Sequence, residues 1–348
     1  LYPLEEKNYP PSDLKGEQAW PTQVFPTMPK PFSRQHYGED LYPDFDQETN
    51  QYVRDRLEGV KQGGQYIPPT TTGVVIFPGF DGGGEWGGAA VDVTTGVMYV
   101  NGNEMPWIHQ MLDLSEQSSL GGRIYAANCS ACHGASRMGD SQQLYPSLIA
   151  VNQRLSDLEI RSIIQNGKGI MPGFAQLDQQ ELRALTTYLS DGGDDQPTSE
   201  TEQSLDSPYG YTGFNRFFDQ NGYPAVKPPW GTLNAIDLNT GEYLWSTPLG
   251  EYQELTDQGI PITGTENYGG PVVTAGGLIF IGATNDEKFR AFDKANGKVL
   301  WETSLPAGGY ATPSTYQVDG KQYVVIACGG GKMGTKSGDA YVAFALPN

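Results

Sequence analysis

The chain has 348 residues, 37% hydrophobic and 11% aromatic, enough for two ordinary domains with real cores. Its 41 acidic side chains against 22 basic ones give a formal net charge of -19, which repels a phosphate backbone and argues against nucleic acid as a partner. No apolar run reaches the roughly 18 residues of a membrane span, and three cysteines are too few for a disulfide framework. Beginning at Leu1 rather than Met, the chain reads as a processed or truncated product.

In chain order, residues 1 to 70 are dense in Pro, Tyr and charge (Tyr9-Pro10-Pro11, Trp20-Pro21, Phe25-Pro26), which predicts an extended segment with one short helix over Gln47 to Leu57. From Thr72 short apolar runs alternate with turns: Gly73 to Phe77, Gly87 to Asp92 and Gly96 to Val100 read as strands. The same texture resumes after about residue 208. The 45 Gly and 25 Pro, spread without a collagen-like period, fit many short strands and turns.

An internal echo supports a repeated sheet. Ala89 to Gly96, Asn234 to Gly241 and Arg290 to Gly297 each read strand, Asp turn, Gly, strand, and the second strand carries an aromatic at Tyr99, Trp245 or Trp301. Such rings suit docking of one sheet on the next in a radial array; unrelated hairpins sharing one turn are the alternative.

Between these stretches, about Ser115 to Ser190 shows helical periodicity in Leu120 to Asn128, Leu158 to Gln165 and Leu177 to Leu189. Asp191 to Ser204 reads as a flexible acidic linker. The predicted division is 1–111, part of a β domain; 112–195, an inserted helical domain; and 196–348, the rest of the β domain.

Within the insert, Cys129-Ser130-Ala131-Cys132-His133 has the Cys-x-x-Cys-His spacing of c-type haem attachment. Two thiols a helical turn apart reach two vinyl groups, and the adjacent imidazole of His133 becomes the proximal iron ligand. Zinc would lack its remaining ligands, since no second Cys pair exists. The second axial ligand is expected at Met171, in the rigid loop Gly167 to Phe174; Met138 competes but sits too close to His133 in sequence. His36 and His109 fall outside the insert and read as surface or loop residues, and Cys328 reads as a small buried hydrophobe on a strand.

Five segments go beyond general pattern: Phe77 to Ala90 with Glu85-Trp86, Pro228 to Leu233, Gly329 to Thr335, Trp20-Pro21-Thr22-Gln23 and Asn103-Glu104-Met105-Pro106-Trp107. Together they closely resemble quinoprotein dehydrogenases of the membrane-type glucose dehydrogenase group, in the version with a cytochrome c insert. The resemblance implies a mainly β fold: part of an eight-bladed quinoprotein-type β-propeller with an inserted all-α cytochrome c domain.

It also implies pyrroloquinoline quinone (PQQ) held by a metal ion, usually calcium, and oxidation of a sugar or alcohol hydroxyl. On matching segments it places Glu85, Trp86, Asn267, Tyr268 and Gly269 near PQQ; for Trp86, packing between blades is the alternative. The family's calcium ligands, Asp base and His-Asp-x-Trp-Asp segment are not found in this sequence. The chain thus aligns with the C-terminal part of such an enzyme, and no catalytic base is named.

At roughly 40 to 50 residues per blade, the residues outside the insert make about four blades, so a missing N-terminal propeller half or a complementary chain is expected. The leading functional expectation is a dehydrogenase that passes electrons from PQQ through haem c to an external cytochrome or quinone. The alternatives are an electron carrier on a non-catalytic propeller, and a binding propeller with a vestigial cytochrome. Haem c attachment implies a periplasmic or other extracytoplasmic location.

Overall fold

A computed structural model describes residues 2–114, 119–139, 145–190 and 208–346. The predicted acidic linker, Asp191 to Ser204, lies outside them. Strands β1 (Leu4–Asn8) and β2 (Thr22–Pro26) form an exposed ribbon. Helix α1 (Gln47–Arg56) follows, started by Asp46, whose carboxylate accepts the Thr49 amide at 2.6 Å.

Next come β3 (Val74–Ile76), β4 (Ala90–Asp92), β5 (Val97–Asn103), β6 (Trp107–His109) and β7 (Met111–Asp113). Helices α2 (Leu120–Asn128), α3 (Ser130–His133), α4 (Asp157–Asn166) and α5 (Gln179–Ser190) then interrupt the β texture. It resumes with β8 (Tyr209–Tyr211), β9 (Asn215–Arg216), β10 (Gly231–Asp237) and β11 (Glu242–Pro248). The last strands are β12 (Val272–Val273), β13 (Leu278–Ile281), β14 (Lys288–Asp293), β15 (Val299–Ser304), β16 (Ser314–Val318), β17 (Lys321–Cys328) and β18 (Ala340–Phe344).

Four antiparallel sheets carry the β part: β3-β6-β9, β4-β5-β10-β11, β12-β13-β14-β15 and β16-β17-β18. Apolar alternation gives each a buried face. Leu233, Ala235, Ile279, Ile281 and Phe292 fill the space between the second and third sheets, and Phe289, Leu305, Val324, Ile326 and Cys328 that between the third and fourth. Cys328 is fully buried, as a packing residue would be.

The echoed segments share one turn chemistry. Asp92, Asp237 and Asp293 each accept the backbone N–H two residues on, at 3.0, 2.8 and 2.8 Å. The glycines four residues on (Gly96, Gly241, Gly297) have φ of +76°, +77° and +70°, the left-handed region where a side chain is strained. Their positions in the sheets are not equivalent, however. The first copy joins the first two strands of the second sheet, whereas the others join the last two strands of theirs.

The predicted ring docking holds at all three aromatic positions. The Trp245 indole N–H donates to the Lys294 carbonyl across the sheet boundary at 3.1 Å, and its ring lies against Gly297. Trp301 packs edge-on against Phe344 of the fourth sheet at 5.2 Å. Tyr99 joins Trp245 at that boundary, ring centroids 6.0 Å apart, and its hydroxyl donates to the same Lys294 carbonyl at 3.3 Å.

The helical segment is inserted at the centre of nested strand pairs. β5 and β10 are neighbours although residues 104–230 separate them; within that excursion β6 pairs with β9, and β7 with β8. Single hydrogen bonds fill the gaps: Glu104 N–H to Trp230 O at 3.1 Å, Phe217 N–H to Pro106 O at 2.8 Å, Thr212 N–H to Gln110 O at 3.0 Å and Leu114 N–H to Pro208 O at 3.0 Å. The two ends of the insert are thereby brought side by side.

The insert has its own core of Leu120, Ile124, Tyr125, Ile160, Ile164, Leu182, Leu185 and Leu189. A Cβ on Gly121 would lie 2.4 Å from the Ala184 carbonyl, so glycine is what lets α2 and α5 touch. Ser156 and Glu159 form a reciprocal cap on α4. Among the described residues no helix is long and apolar enough to cross a membrane.

Gly297→Ala tests the docking. A Cβ there would sit 2.6 Å from the Trp245 ring in a left-handed backbone, so urea denaturation should show a loss of about 2 kcal/mol or more.

Candidate functional site

Two clusters of reactive groups converge where the insert meets the β part. The first is polar. Strand β9 carries Arg216, and its pairing with β6 brings the guanidinium over the Trp107 ring at 5.5 Å. There Nη2 meets Asp81 Oδ2 at 2.8 Å and the Tyr268 hydroxyl at 2.7 Å, and both nitrogens reach Glu266, at 3.2 and 3.3 Å. Tyr268 also donates to Asp81, and the Lys332 ammonium rests 3.6 Å above its ring centroid.

Burial and the neighbouring carboxylates shape the protonation of this cluster. Burial raises the Glu266 carboxyl, against the pull of Arg216. Tyr268 is raised first by burial and then by Glu266, so it stays a neutral hydroxyl. Glu85, half-buried nearby, is pushed up to about 7, first by desolvation and then by Asp81, while Lys332 opposes the shift. Its Oε1 accepts a long hydrogen bond from Asn103 at 3.3 Å.

The Asn267–Gly269 turn is positioned from below. Asn267 is fully buried: its amide accepts from Asn101 at 2.6 Å and donates to Gly102 O at 3.0 Å, while Asn103 bonds both its backbone N–H and its carbonyl. Gly269 has φ +111°, and Gly87 crosses it so closely that a Cβ on Gly87 would lie 2.0 Å from the Gly269 carbonyl carbon. These glycines serve backbone crossing. Trp86 projects fully into solvent, packed against none of the described sheets.

The second cluster is the Cys-x-x-Cys-His segment on α2 and α3. Cys129 and Cys132 are unpaired thiols. Cys129 lies in the helical core, where burial and then Cys132 push its pKa up to about 12; burial also raises Cys132. The buried His133 ring has Nδ1 2.9 Å from the Pro146 carbonyl. A carbonyl only accepts, so Nδ1 carries the proton, and in the neutral ring Nε2 keeps its lone pair. Docking on the strand stem is tight: the Ser130 hydroxyl donates to Tyr211 O at 2.6 Å, and a Cβ on Gly213 would lie 2.6 Å from Ala131 O.

Met171 sits on a loop folded against the end of α4. Lys168 and Met171 exchange backbone hydrogen bonds at 3.1 Å each, and a Cβ on Gly167 would lie 2.5 Å from Met171 O. The loop is thus tightly constrained, and the Met171 side chain is half-buried. Met138 and His36 are exposed. His109, expected on a surface or loop, instead lies on β6 in a ring cluster with Phe80 and Tyr211, and burial lowers its pKa.

A cleft of about 910 Å³ is lined by Cys132, Gly134 and Tyr145 from the insert and by Asp81, Arg216 and Lys332 from the β part. Sequence reasoning missed Arg216 and Asp81 as site residues. Asp81 and Lys332 lay inside segments singled out for resemblance; Arg216 stands in no motif, and only the β6-β9 pairing brings it to the site.

Arg216→Leu would leave Asp81 and Glu266 without their cation, so stability at pH 8 should fall by about 3 kcal/mol, with part regained as the pH is lowered and Glu266, whose burial favours the neutral form, takes up a proton. For Glu85, the folded chain holds the proton more tightly than the unfolded one, so ionisation between the ordinary carboxylate range and about 7 costs folded stability. Glu85→Gln should therefore flatten the stability profile across that window and exceed wild type above it, as read by thermal melts at stepped pH.

Comparison with known proteins places this geometry in a family. The model for the β-propeller domain of PQQ glucose/ethanol/alcohol dehydrogenases matches residues 1–161 and 156–324. The chain is similar to quinoprotein glucose dehydrogenase of Escherichia coli strain K12, 30% identical over 361 residues covering all of this chain and 36% of that protein. It is similar to the glycerol dehydrogenase large subunit of Gluconobacter thailandicus, 30% identical over 363 residues covering all of this chain and 40% of that one. A shorter match, 52% identical over 63 residues, covers 18% of this chain and 9% of the 1-butanol dehydrogenase (cytochrome c) of Thauera butanivorans. The chain thus spans little more than a third of the length of the relatives that it matches throughout. With a family model covering well over half of its residues, the chain belongs to the PQQ-dependent glucose/ethanol/alcohol dehydrogenase β-propeller family.

Proposed function

We propose that the chain is the C-terminal part of a quinohaemoprotein dehydrogenase, which oxidises a sugar or alcohol hydroxyl with PQQ and passes the electrons through haem c to an external acceptor. The observation that carries the haem half of the reading is the His133 ring. With Nδ1–H committed to Pro146 O and two unpaired thiols within one helical turn, the residues fit a covalently held haem. Cys129 and Cys132 would hold the haem through thioethers, and His133 and Met171 would bind its iron. A thioether ligand favours a higher potential than a second imidazole does. Family membership carries the quinone half.

On this reading the four sheets are blades of an eight-bladed propeller. Residues 1–111 and 196–348 belong to it, residues 112–195 form the inserted cytochrome c domain, and a complementary half supplies the remaining blades and the calcium ligands. Bound PQQ would supply two-electron oxidation of the hydroxyl. On this reading Glu85, Trp86 and Tyr268 would border it. Asn267 and Gly269 fix the turn that presents Tyr268, and Arg216 holds Tyr268, Asp81 and Glu266 in place. Glu85, titrating near neutrality, is suited to take up or release a proton there. Haem attachment places the protein in the periplasm or on an outer face, with a cytochrome or quinone as its acceptor.

The test is a preparation of the whole polypeptide, or of this chain with its complementary half. Wild type should show a covalent haem spectrum, lost in Cys129→Ala/Cys132→Ala, and Met171→Ala should lower the midpoint potential. Adding PQQ, calcium and an aldose or alcohol should reduce the haem; reduction by external donors alone would instead show an electron carrier on a non-catalytic propeller.

A further inference from the structure

Two groups that line the cleft keep bonding capacity which the polar cluster does not use. Asp81 commits a single oxygen to that cluster: Oδ2 accepts from both Arg216 and Tyr268, while Oδ1 has no partner among the described residues. Lys332 has no ion pair or side-chain hydrogen bond among them, and its ammonium lies 3.6 Å from the Tyr268 ring centroid. Its loop is held closed. Gly330 and Gly331 occupy the left-handed region at φ +56° and +77°, and the Lys332 carbonyl accepts from both the amide and the hydroxyl of Thr335, at 3.2 and 2.9 Å. Phe80 and Phe214 line the same cleft, edge to face at 5.0 Å and still 43% and 48% exposed.

We infer that Asp81 and Lys332 set the substrate preference of the proposed dehydrogenase, selecting a polyhydroxy compound, a vicinal diol or a sugar, over a monohydric alcohol. The inference rests on the dehydrogenase reading above and narrows its substrate class. Both groups converge on Tyr268, which on that reading borders the quinone: Asp81 takes its hydroxyl and Lys332 covers its ring. A carboxylate only accepts and an ammonium only donates, whereas a hydroxyl does both. A second hydroxyl beside the one being oxidised would therefore satisfy the two groups together. A monohydric alcohol would cover them and leave them unpaired, which is how a polar site rejects a ligand that lacks the matching group. The exposed rings fit the same class, because the C–H face of a pyranose is drawn to the negative face of an aromatic ring. At about 910 Å³ the cleft is also far larger than a short alkanol requires.

The experiment uses the whole polypeptide, or this chain with its complementary half, loaded with PQQ and calcium. It compares kcat/KM for propan-1-ol, propane-1,2-diol and glucose, and measures PQQ affinity separately by fluorescence titration. The wild type should prefer the diol and glucose to propan-1-ol by about tenfold or more. Lys332→Met should erase most of that preference through KM at wild-type PQQ affinity, and Lys332→Arg should restore part of it. Lys336→Met, at an exposed residue just beyond the loop, should keep the wild-type ratio. Asp81→Asn should narrow the ratio likewise; if thermal melts show it unfolded, the Lys332 variants decide. A wild type without the preference, or a Lys332→Met protein that keeps it, would overturn the inference and leave the dehydrogenase reading standing. Weaker PQQ binding in Lys332→Met with an unchanged ratio would assign the ammonium to the cofactor and overturn it equally. A wild type that binds PQQ and oxidises none of the three would overturn both.

Discussion

The whole arrangement depends on one closure. The chain leaves the second sheet at Asn103 and must return to it at Gly231, because these residues are partners across β5 and β10. Everything between is held in concentric antiparallel pairs, Trp107 with Arg216, then Met111 with Tyr211, so that each inner pair is formed at little extra loop cost once the outer one exists. The closure sets the chemistry as well. It brings Arg216 beside Trp107 and puts the Cys-x-x-Cys-His segment next to the polar cluster, although 83 residues of sequence (133 to 216) separate His133 from Arg216.

The polar cluster shows how a buried cation can be organised without a dedicated motif. Arg216 is nearly covered, and three groups share it: one fully buried carboxylate, one partly exposed carboxylate and a phenol. Its charge is held above the ordinary range by Glu266, Tyr268 and Asp81 against the pull of burial. A guanidinium suits the task because its fork meets several oxygens in one plane. Lys332, over the Tyr268 ring, adds a second positive charge at the cleft without joining the carboxylate pairs.

Much of this was legible in the sequence, and the reason is locality. Short strands, Asp turns closed by Gly, the helical periodicity of the insert and the Cys-x-x-Cys-His spacing are all written within a few residues. Features that depend on distant pairing were not legible. The echoed turns looked equivalent because their local chemistry is the same, yet one belongs to the opening hairpin of a sheet and two to the closing hairpins. The crossing of Gly87 over Gly269, a contact 182 positions apart in the numbering (87 to 269), has no local signature either. Arg216 had no local signal at all.

The stem has a consequence for how such a molecule can change. β7 and β8 end in register, with Asp113 opposite Tyr209, so the helical segment leaves and re-enters through two adjacent backbone positions. Cutting there and closing the ladder with a tight hairpin turn would leave every outer strand pair as it stands. Conversely, any compact unit whose ends lie a strand spacing apart could be grafted at that point. The architecture thus behaves as a socket: a helical unit can be gained, lost or exchanged by recombination without renegotiating the sheets that carry it.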